Sequence, residues 1–294
     1  MKIFLKSMWR IISAPFRLVF WIIRSIYNWI KGKYLEISSI FKEDIEDEPV
    51  GEAFSKAIDN PQELLFHLDA LRKHLFRSVA ALALTTAIAF MFNQKILEFL
   101  TRPIPGGMDS MVAIEVTEPI GTVMRVSLLT GFAIAFPYIA LEIWMFVAPG
   151  LHLRSRLWSL LAIPVATSFF LGGMAFAYFV MLPAALPFLL NFMGIETIPR
   201  PASYIQFITT ILFWIGVAFE FPLVIFLLAK IGLIHAKTLQ QQWRIAIVVI
   251  AIISALITPT IDPVNMALVM GPMIFLYFFS IFLAKIARRD QEAH

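Results

Sequence analysis

Apart from Arg77 at the start of the first long apolar run, three charged residues lie inside such runs, and their side chains could do chemistry there: Arg125, Glu142 and Glu220. Burying a charge in hydrocarbon costs at least about 2.5–3.5 kcal/mol on insertion scales, so each of these residues needs a partner or a function. A carboxylate can bind a guanidinium or ammonium group, whereas an arginine can reach the interface to contact a lipid headgroup or a partner.

The two carboxylates differ in depth. Glu142 stands about one turn from the end of its apolar run, so a half-solvated carboxylate and a binding group fit it equally well. Glu220 stands near the middle of its run, followed by Phe221 and Pro222. The proline removes a backbone donor and loosens the helix there. Glu220 is therefore either a protonated acid bonded to a neighbouring helix or a binding group.

Composition places the chain in the membrane class. Of its 294 residues, 60% are hydrophobic and only 15% are charged, and the mean hydropathy is +0.81. Cysteine is absent, which excludes disulfides, thiolate metal sites and a cysteine nucleophile. The net charge of +4 is better explained by membrane topology than by nucleic-acid binding.

Enzyme chemistry finds little support in the sequence. All five histidines lie outside the predicted spans, no paired carboxylates stand at an aspartyl-protease spacing, and no glycine-rich phosphate loop appears. We therefore predict a protein that is not an enzyme, with no catalytic residue, cofactor or metal.

The apolar runs predict an all-α membrane protein with six transmembrane helices, since about 20 apolar residues cross the hydrocarbon. The fifth run is short and is joined to the sixth by a five-residue turn, so both are expected to be short and to thin the bilayer locally. The predicted spans are 75–92, 119–146, 157–183, 207–229, 245–257 and 264–283.

Lysine and arginine gather before the first span, in alternate connections and after the sixth. The positive-inside rule then places both termini in the cytoplasm. Residues 1–41 are predicted to be a basic amphipathic segment at the membrane surface, with basic residues at steps of seven from Arg10 to Lys31. Residues 42–60 are an acidic linker, 61–285 the transmembrane domain and 286–294 a cytoplasmic tail.

An ordered series of motifs resembles the TatC family, the multispanning subunit of the twin-arginine protein translocase. The series covers about residues 61–285 and is strong because its members occur in the family's order. Its members are His67-Leu68-Asp69-Ala70-Leu71-Arg72, Pro103, Glu118-Pro119, Phe136-Pro137, Trp144-Met145-Phe146-Val147-Ala148-Pro149-Gly150-Leu151, Phe176-Ala177-Tyr178-Phe179 with Pro183, Phe219-Glu220-Phe221-Pro222, and Ile257-Thr258-Pro259.

The resemblance implies binding and assembly without covalent chemistry, in a bacterial or archaeal plasma membrane. Such a protein receives the twin-arginine signal peptides of folded precursors and works with single-span TatA and TatB partners as a homo- or hetero-oligomer. Transport draws on the proton-motive force. The last two spans are implied as the partner-docking edge, with the partner contacts Pro103, Thr258, Pro259, Asp262 and Tyr277.

Two departures affect the implied receptor patch. The family carries glutamates where this chain has Ala70 and Ser155, and neither residue can pair with a guanidinium. We hypothesise that Asp69 and Glu142 replace them. In addition, Phe278 follows Leu276-Tyr277 where the family often has glutamate, which removes a polar partner contact. The implied signal-peptide site comprises Asp69, Arg72, Glu142, Phe146, Pro149, Arg156 and Glu220.

Two alternatives stay open at this point. The chain could be a TatC-like scaffold that assembles with partners but does not read twin arginines. It could also be a small-solute secondary transporter, although the repeated halves and paired broken helices typical of such carriers are not visible.

Overall fold

The computed structural model describes residues 32–33, 61–150, 159–191, 197–230, 232–258 and 262–292. The predicted surface segment and acidic linker, residues 1–60, therefore lie outside the described residues except for Gly32 and Lys33. The described residues are helical or in turns and connections, with no β-strand among them.

The described helices are numbered in chain order, and a π-helical turn, Ala177–Met181, joins α4 to α5 without a break. Short 3-10 turns stand at Gly107–Ser110 and Ala148–Gly150. The helices are α1 Pro61–Met91, α2 Asn93–Thr101, α3 Glu118–Val147, α4 Ala162–Phe176, α5 Leu182–Leu190, α6 Pro201–Lys230, α7 Ala236–Gln241, α8 Trp243–Ile257 and α9 Pro263–Glu292.

Five of these helical runs are long and apolar enough to cross a membrane: 67–91 of α1, α3, α4 through α5, α6, and 263–287 of α9. The predicted short fifth helix is confirmed as α8, which has 15 residues. The prediction that the sixth helix is also short is wrong, because α9 has 30 residues. Alanine, lysine and arginine follow its apolar run and favour the continuing helix, with no glycine or proline to stop it.

The chain divides into two compact units, which are described separately. The first comprises residues 1–68 and 144–160. In it the Trp144 indole Nε1 donates to Ser159 Oγ at 2.9 Å. The Lys33 ammonium group is 3.7 Å from the Met145 sulfur. Trp144, Met145 and Ala148 are buried.

The second unit, residues 69–143 and 161–294, is built around α6. One face of α6 packs against α4, and another packs along α9. A cluster of buried aliphatic and aromatic side chains joins α6 to α2, α3 and α5. Helix α8 packs on α9 through Ile250, Tyr277 and Ile281.

Two glycines set the distance between α4 and α6. A Cβ atom added to Gly173 would lie 2.9 Å from both the Gly216 Cα and the Ile215 carbonyl oxygen. A Cβ on Gly216 would meet the Phe170 ring at 2.7 Å. The two backbones are in direct contact, as small residues allow in membrane helix pairs.

Helices α1 and α3 also meet at a glycine. The Thr85 hydroxyl donates to the Gly131 carbonyl at 2.8 Å. A Cβ on Gly131 would lie 2.6 Å from the Thr86 backbone. The α1 helix is thus held close to α3, although little of α1 is buried elsewhere along its apolar run.

An ion pair joins the first residue of α3 to the residue before α6. The Arg200 guanidinium donates to the buried Glu118 carboxylate, and its Nη2 also lies 3.3 Å from Glu115 Oε1. These bonds, above all the one to Glu118, raise the pKa of Arg200, which therefore stays cationic. At the same end, the Tyr178 and Tyr204 hydroxyls donate to carbonyls of α2 at 2.5 and 3.0 Å.

The glycine contact predicts a position-specific effect of a single methyl group. Gly173→Ala is expected to destabilise the protein by about 1–3 kcal/mol, because backbone atoms opposite cannot yield. Gly172→Ala is the matched control, since nothing lies within 4 Å of its added Cβ and alanine favours a helix. Thermal unfolding in mild detergent measures both, and equal stability of the two variants would contradict the packing described.

Candidate functional site

Glu142 is the most enclosed charged side chain of the candidate site. It stands on α3, its side chain is 0% exposed, and the Tyr138 hydroxyl one turn earlier donates to its Oε1. Its Oε2 lies 2.6 Å from His74 Nδ1 on α1. Arg77 Nη1, also on α1, is 3.9 Å from the same oxygen.

This arrangement fixes the chemistry of the carboxylate. When Glu142 is ionised, its carboxylate only accepts hydrogen bonds, and His74 then donates through Nδ1. The free-energy cost of burying this charge is offset by two hydrogen bonds and the nearby Arg77 guanidinium. Removing one of these partners would leave the buried carboxylate poorly compensated and destabilise the protein. Glu142 therefore joins α1 to α3, and its carboxylate already has partners within the chain.

Unlike the buried Glu142, Asp69 is exposed and weakly paired. Its side chain is 48% exposed and pairs with Lys73, one turn later on α1, at 2.7 Å. The Lys73 side chain is itself 64% exposed, and exposed pairs at this spacing contribute only about 0.3–0.5 kcal/mol. Asp69 and His74 are five residues apart, about 140° around the helix, so Asp69 faces away from Glu142.

Arg72 and Ala70 complete this end of α1. Arg72 is exposed, and Ala70 is half-buried. This end of α1 therefore presents the accessible carboxylate of Asp69 among basic neighbours. The structure gives it the exposure that a binding acid needs.

Residues of two predicted motifs meet in the first unit. The His67 ring on α1 lies 4.5 Å, centroid to centroid, from the Phe146 ring on α3. Pro149 is exposed in the turn that follows α3. Arg156 lies outside the described residues.

Glu220 lies on α6, one turn after the Gly216 contact with α4. Its side chain is half-buried, and its Oε1 atom is buried without a hydrogen-bond partner among the described residues. The ring of the preceding Phe219 lies 5.7 Å from that of Phe176. An unsatisfied carboxyl oxygen at this depth is available to a further hydrogen-bond donor.

The predicted partner contacts occupy varied surroundings. Tyr277 is buried, and its hydroxyl donates to the Leu239 carbonyl at 2.6 Å. The Thr258 hydroxyl, also buried, donates to the Ser254 carbonyl at 2.8 Å. Asp262 caps α9 by accepting from the Asn265 backbone N–H at 2.7 Å. Pro103 is half-buried after α2, and Pro259 lies outside the described residues.

Sequence reasoning missed His74, Arg77 and Tyr138 as partners of Glu142. It placed His74 outside the first span because the apolar run begins at Leu75, whereas α1 begins at Pro61. Tyr138 stands four residues before Glu142, and this helical spacing could have identified it. Among the described residues, no three metal-ligating side chains gather into a possible metal site.

Comparisons with known proteins point to one family. The sequence model described as "Sec-independent protein translocase protein (TatC)" matches residues 66–272. A protein of that name from Carboxydothermus hydrogenoformans is 35% identical over 232 residues, 78% of this chain and 96% of that protein. One from Campylobacter jejuni is 36% identical over 243 residues, 79% of this chain and 98% of that protein.

Solved structures agree with this result. A crystal structure titled "Twin Arginine Translocase Receptor- TatC" superposes with a TM-score of 0.66 at 32% identity. The match covers 76% of this chain and 99% of that one. A second structure of the same receptor, in the detergent DDM, gives 0.67 at 33% identity over 74% of this chain and 99% of that one.

The different surroundings of the two acids predict different effects on stability. Glu142→Gln is expected to lower the free energy of unfolding by about 1.5–3 kcal/mol, the contribution of hydrogen bonds to a charged group. Asp69→Asn is the matched control on α1 and should leave the free energy of unfolding nearly unchanged, because the Asp69–Lys73 pair is exposed. Detergent unfolding curves compare the two, and a larger loss for Asp69→Asn would overturn the assignment.

Proposed function

Because the chain belongs to the TatC family of Sec-independent protein translocase proteins, we propose that it receives twin-arginine signal peptides at the Asp69 end of α1. It would then export folded precursors together with TatA- and TatB-type single-span partners. Family membership argues against the small-solute carrier alternative. Such a subunit acts by binding and assembly, without covalent chemistry on a bound cofactor. The energy for transport would come from the proton-motive force.

The proposed topology has six spans with both termini in the cytoplasm of a bacterial or archaeal cell. Five long apolar helices and the shorter α8 support the number, and the basic connections support the orientation. The 61–285 transmembrane domain is then preceded by a membrane-surface segment and a linker, and followed by the cytoplasmic tail 286–294. The Asp69 end of α1 faces the cytoplasm, where precursors arrive.

The exposure of Asp69 is the observation that carries the proposal. A signal-peptide arginine can replace Lys73 at this carboxylate, because the existing pair is exposed and weak. A guanidinium offers two parallel N–H donors to a carboxylate, which an ammonium group cannot do. Asp69 thereby takes the role that Ala70 cannot fill.

Glu142 enters the proposal as a positioning residue. Its carboxylate is buried and bound by His74 and Tyr138, so a signal arginine would have to displace these partners to reach it. Holding α1 against α3 keeps the Asp69 surface in place. Direct pairing of Glu142 with a signal peptide stays a prediction, as does contact with Arg72 or Arg156.

The apolar part of the signal peptide would bind further along the chain. Phe146, whose ring is tilted against that of His67, and the exposed Pro149 offer apolar surface for it. The unsatisfied oxygen of Glu220 could accept a bond from a polar group of the peptide or of a partner helix.

The proposed docking edge for partners lies at α8 and α9. With 15 residues, α8 is about 22 Å long, shorter than the hydrocarbon thickness of about 30 Å. Local thinning there would favour a short partner helix. Thr258, Pro259 and Asp262 lie in the connection, Tyr277 supports it from α9, and Pro103 belongs to the first external loop.

Photocrosslinking tests this proposal. A photoreactive residue at Ala70, beside Asp69, is expected to crosslink to a twin-arginine peptide in membranes and to lose the crosslink with a twin-lysine peptide. The same residue at Leu84, exposed on the apolar part of α1, is the control and should depend far less on the arginines. No crosslink from position 70 in the folded protein would favour the scaffold that does not read twin arginines.

A further inference from the structure

Arg125 has no role in the function proposed above. It stands on α3 seven residues after Glu118, about 10 Å along the helix from its first residue. Its side chain is exposed, and the described residues provide it with no hydrogen bond or ion pair. A guanidinium stays charged in proteins, so an exposed cation on a helix that is long and apolar enough to cross a membrane needs an anionic partner.

An apolar groove lies between α1 and α3; Arg125 is not part of its lining but follows the lining residue Met124 in the sequence. Its volume is about 560 Å³, and small side chains of α1 form part of its wall. Met124 and Leu128 of α3 line it, and Arg125 stands about 60° around the helix from Leu128. The lining residues are Val79, Leu82, Ala83, Thr86, Ala87, Phe90, Met124 and Leu128.

The dimensions of this groove fit one acyl chain. From Val79 to Phe90 it follows α1 for about 16 Å, close to half of the hydrocarbon thickness of about 30 Å. The groove is shallow and open to the surface, so a thin extended chain can lie along it, whereas a helix about 10 Å in diameter would stand mostly outside it. A single lipid tail is therefore the better-matched occupant.

The position of the Arg125 guanidinium also fits an anionic lipid. Side chains on a helix tilt towards its N-terminus, so the Arg125 guanidinium is directed towards the end where α3 begins. A lipid with its tail in the groove and its headgroup at that end could place its phosphate on the guanidinium. We propose that Arg125 and the α1–α3 groove bind one anionic phospholipid, with the phosphate on the guanidinium and one tail between the helices.

Native mass spectrometry of the full chain, released from nanodiscs of equal phosphatidylglycerol and phosphatidylcholine, tests this proposal. Wild-type protein should retain phosphatidylglycerol preferentially, and Arg125→Gln should reduce that preference about fivefold. Arg125→Lys should keep most of it, which separates lost charge from misfolding. Lys95→Gln, an exposed cation away from the groove lining, should behave as wild type.

The groove itself needs a separate variant. Ala87→Leu fills it and should reduce retention of both lipids while the unfolding temperature is kept. Unchanged lipid preference in Arg125→Gln, or an equal loss in Lys95→Gln, would overturn the proposal. Displacement of the lipid by inorganic phosphate alone would also overturn it. The same holds if Arg125→Gln loses a bound partner protein while its lipid retention stays unchanged.

Discussion

The structure depends on one constraint: hydrocarbon offers no water to a buried charge, so a buried ionised side chain needs a partner within the protein. Glu142 finds it across helices, on His74 of α1, and Glu118 finds it on Arg200 before α6. Each pair joins segments far apart in the sequence. Together they determine how α1, α3 and α6 are held, since neither acid could stay charged and buried if its helices separated.

Close packing at glycines acts together with these pairs. Gly173 and Gly216 bring α4 and α6 into backbone contact, while Gly131 brings α3 against α1. Polar pairs alone would allow one helix to slide along another, because their side chains can follow the movement. Direct backbone contact does not allow this sliding. The result is a fixed α1 whose exposed surface presents Asp69. In the proposed receptor, the buried acid provides position and the exposed acid provides recognition, although the sequence alone suggested the same role for both.

The sequence predicted each membrane helix at about the right place, because the apolar runs that cross hydrocarbon also form helices, but it gave both ends to within three residues only for α3 and α8. It missed the early start of α1 at Pro61, since the polar turns around Asp69 and Lys73 lie outside any apolar run. It also missed the length of α9, which continues past its apolar residues. The Glu142–His74 pair, 68 positions apart, depends on how two helices pack, and no local pattern reveals it.

The central claim is that Asp69 reads the signal arginines while Glu142 holds α1 in place. A double-mutant cycle tests it. The wild-type protein, Asp69→Asn and Glu142→Gln are each combined with the signal peptide and with a peptide in which an arginine is changed to glutamine, and the binding free energy of each combination is measured. We expect a coupling of about 1 kcal/mol or more for Asp69 and agreement with additivity, within about 0.3–0.5 kcal/mol, for Glu142. Strong coupling at Glu142 with additivity at Asp69 would contradict the account.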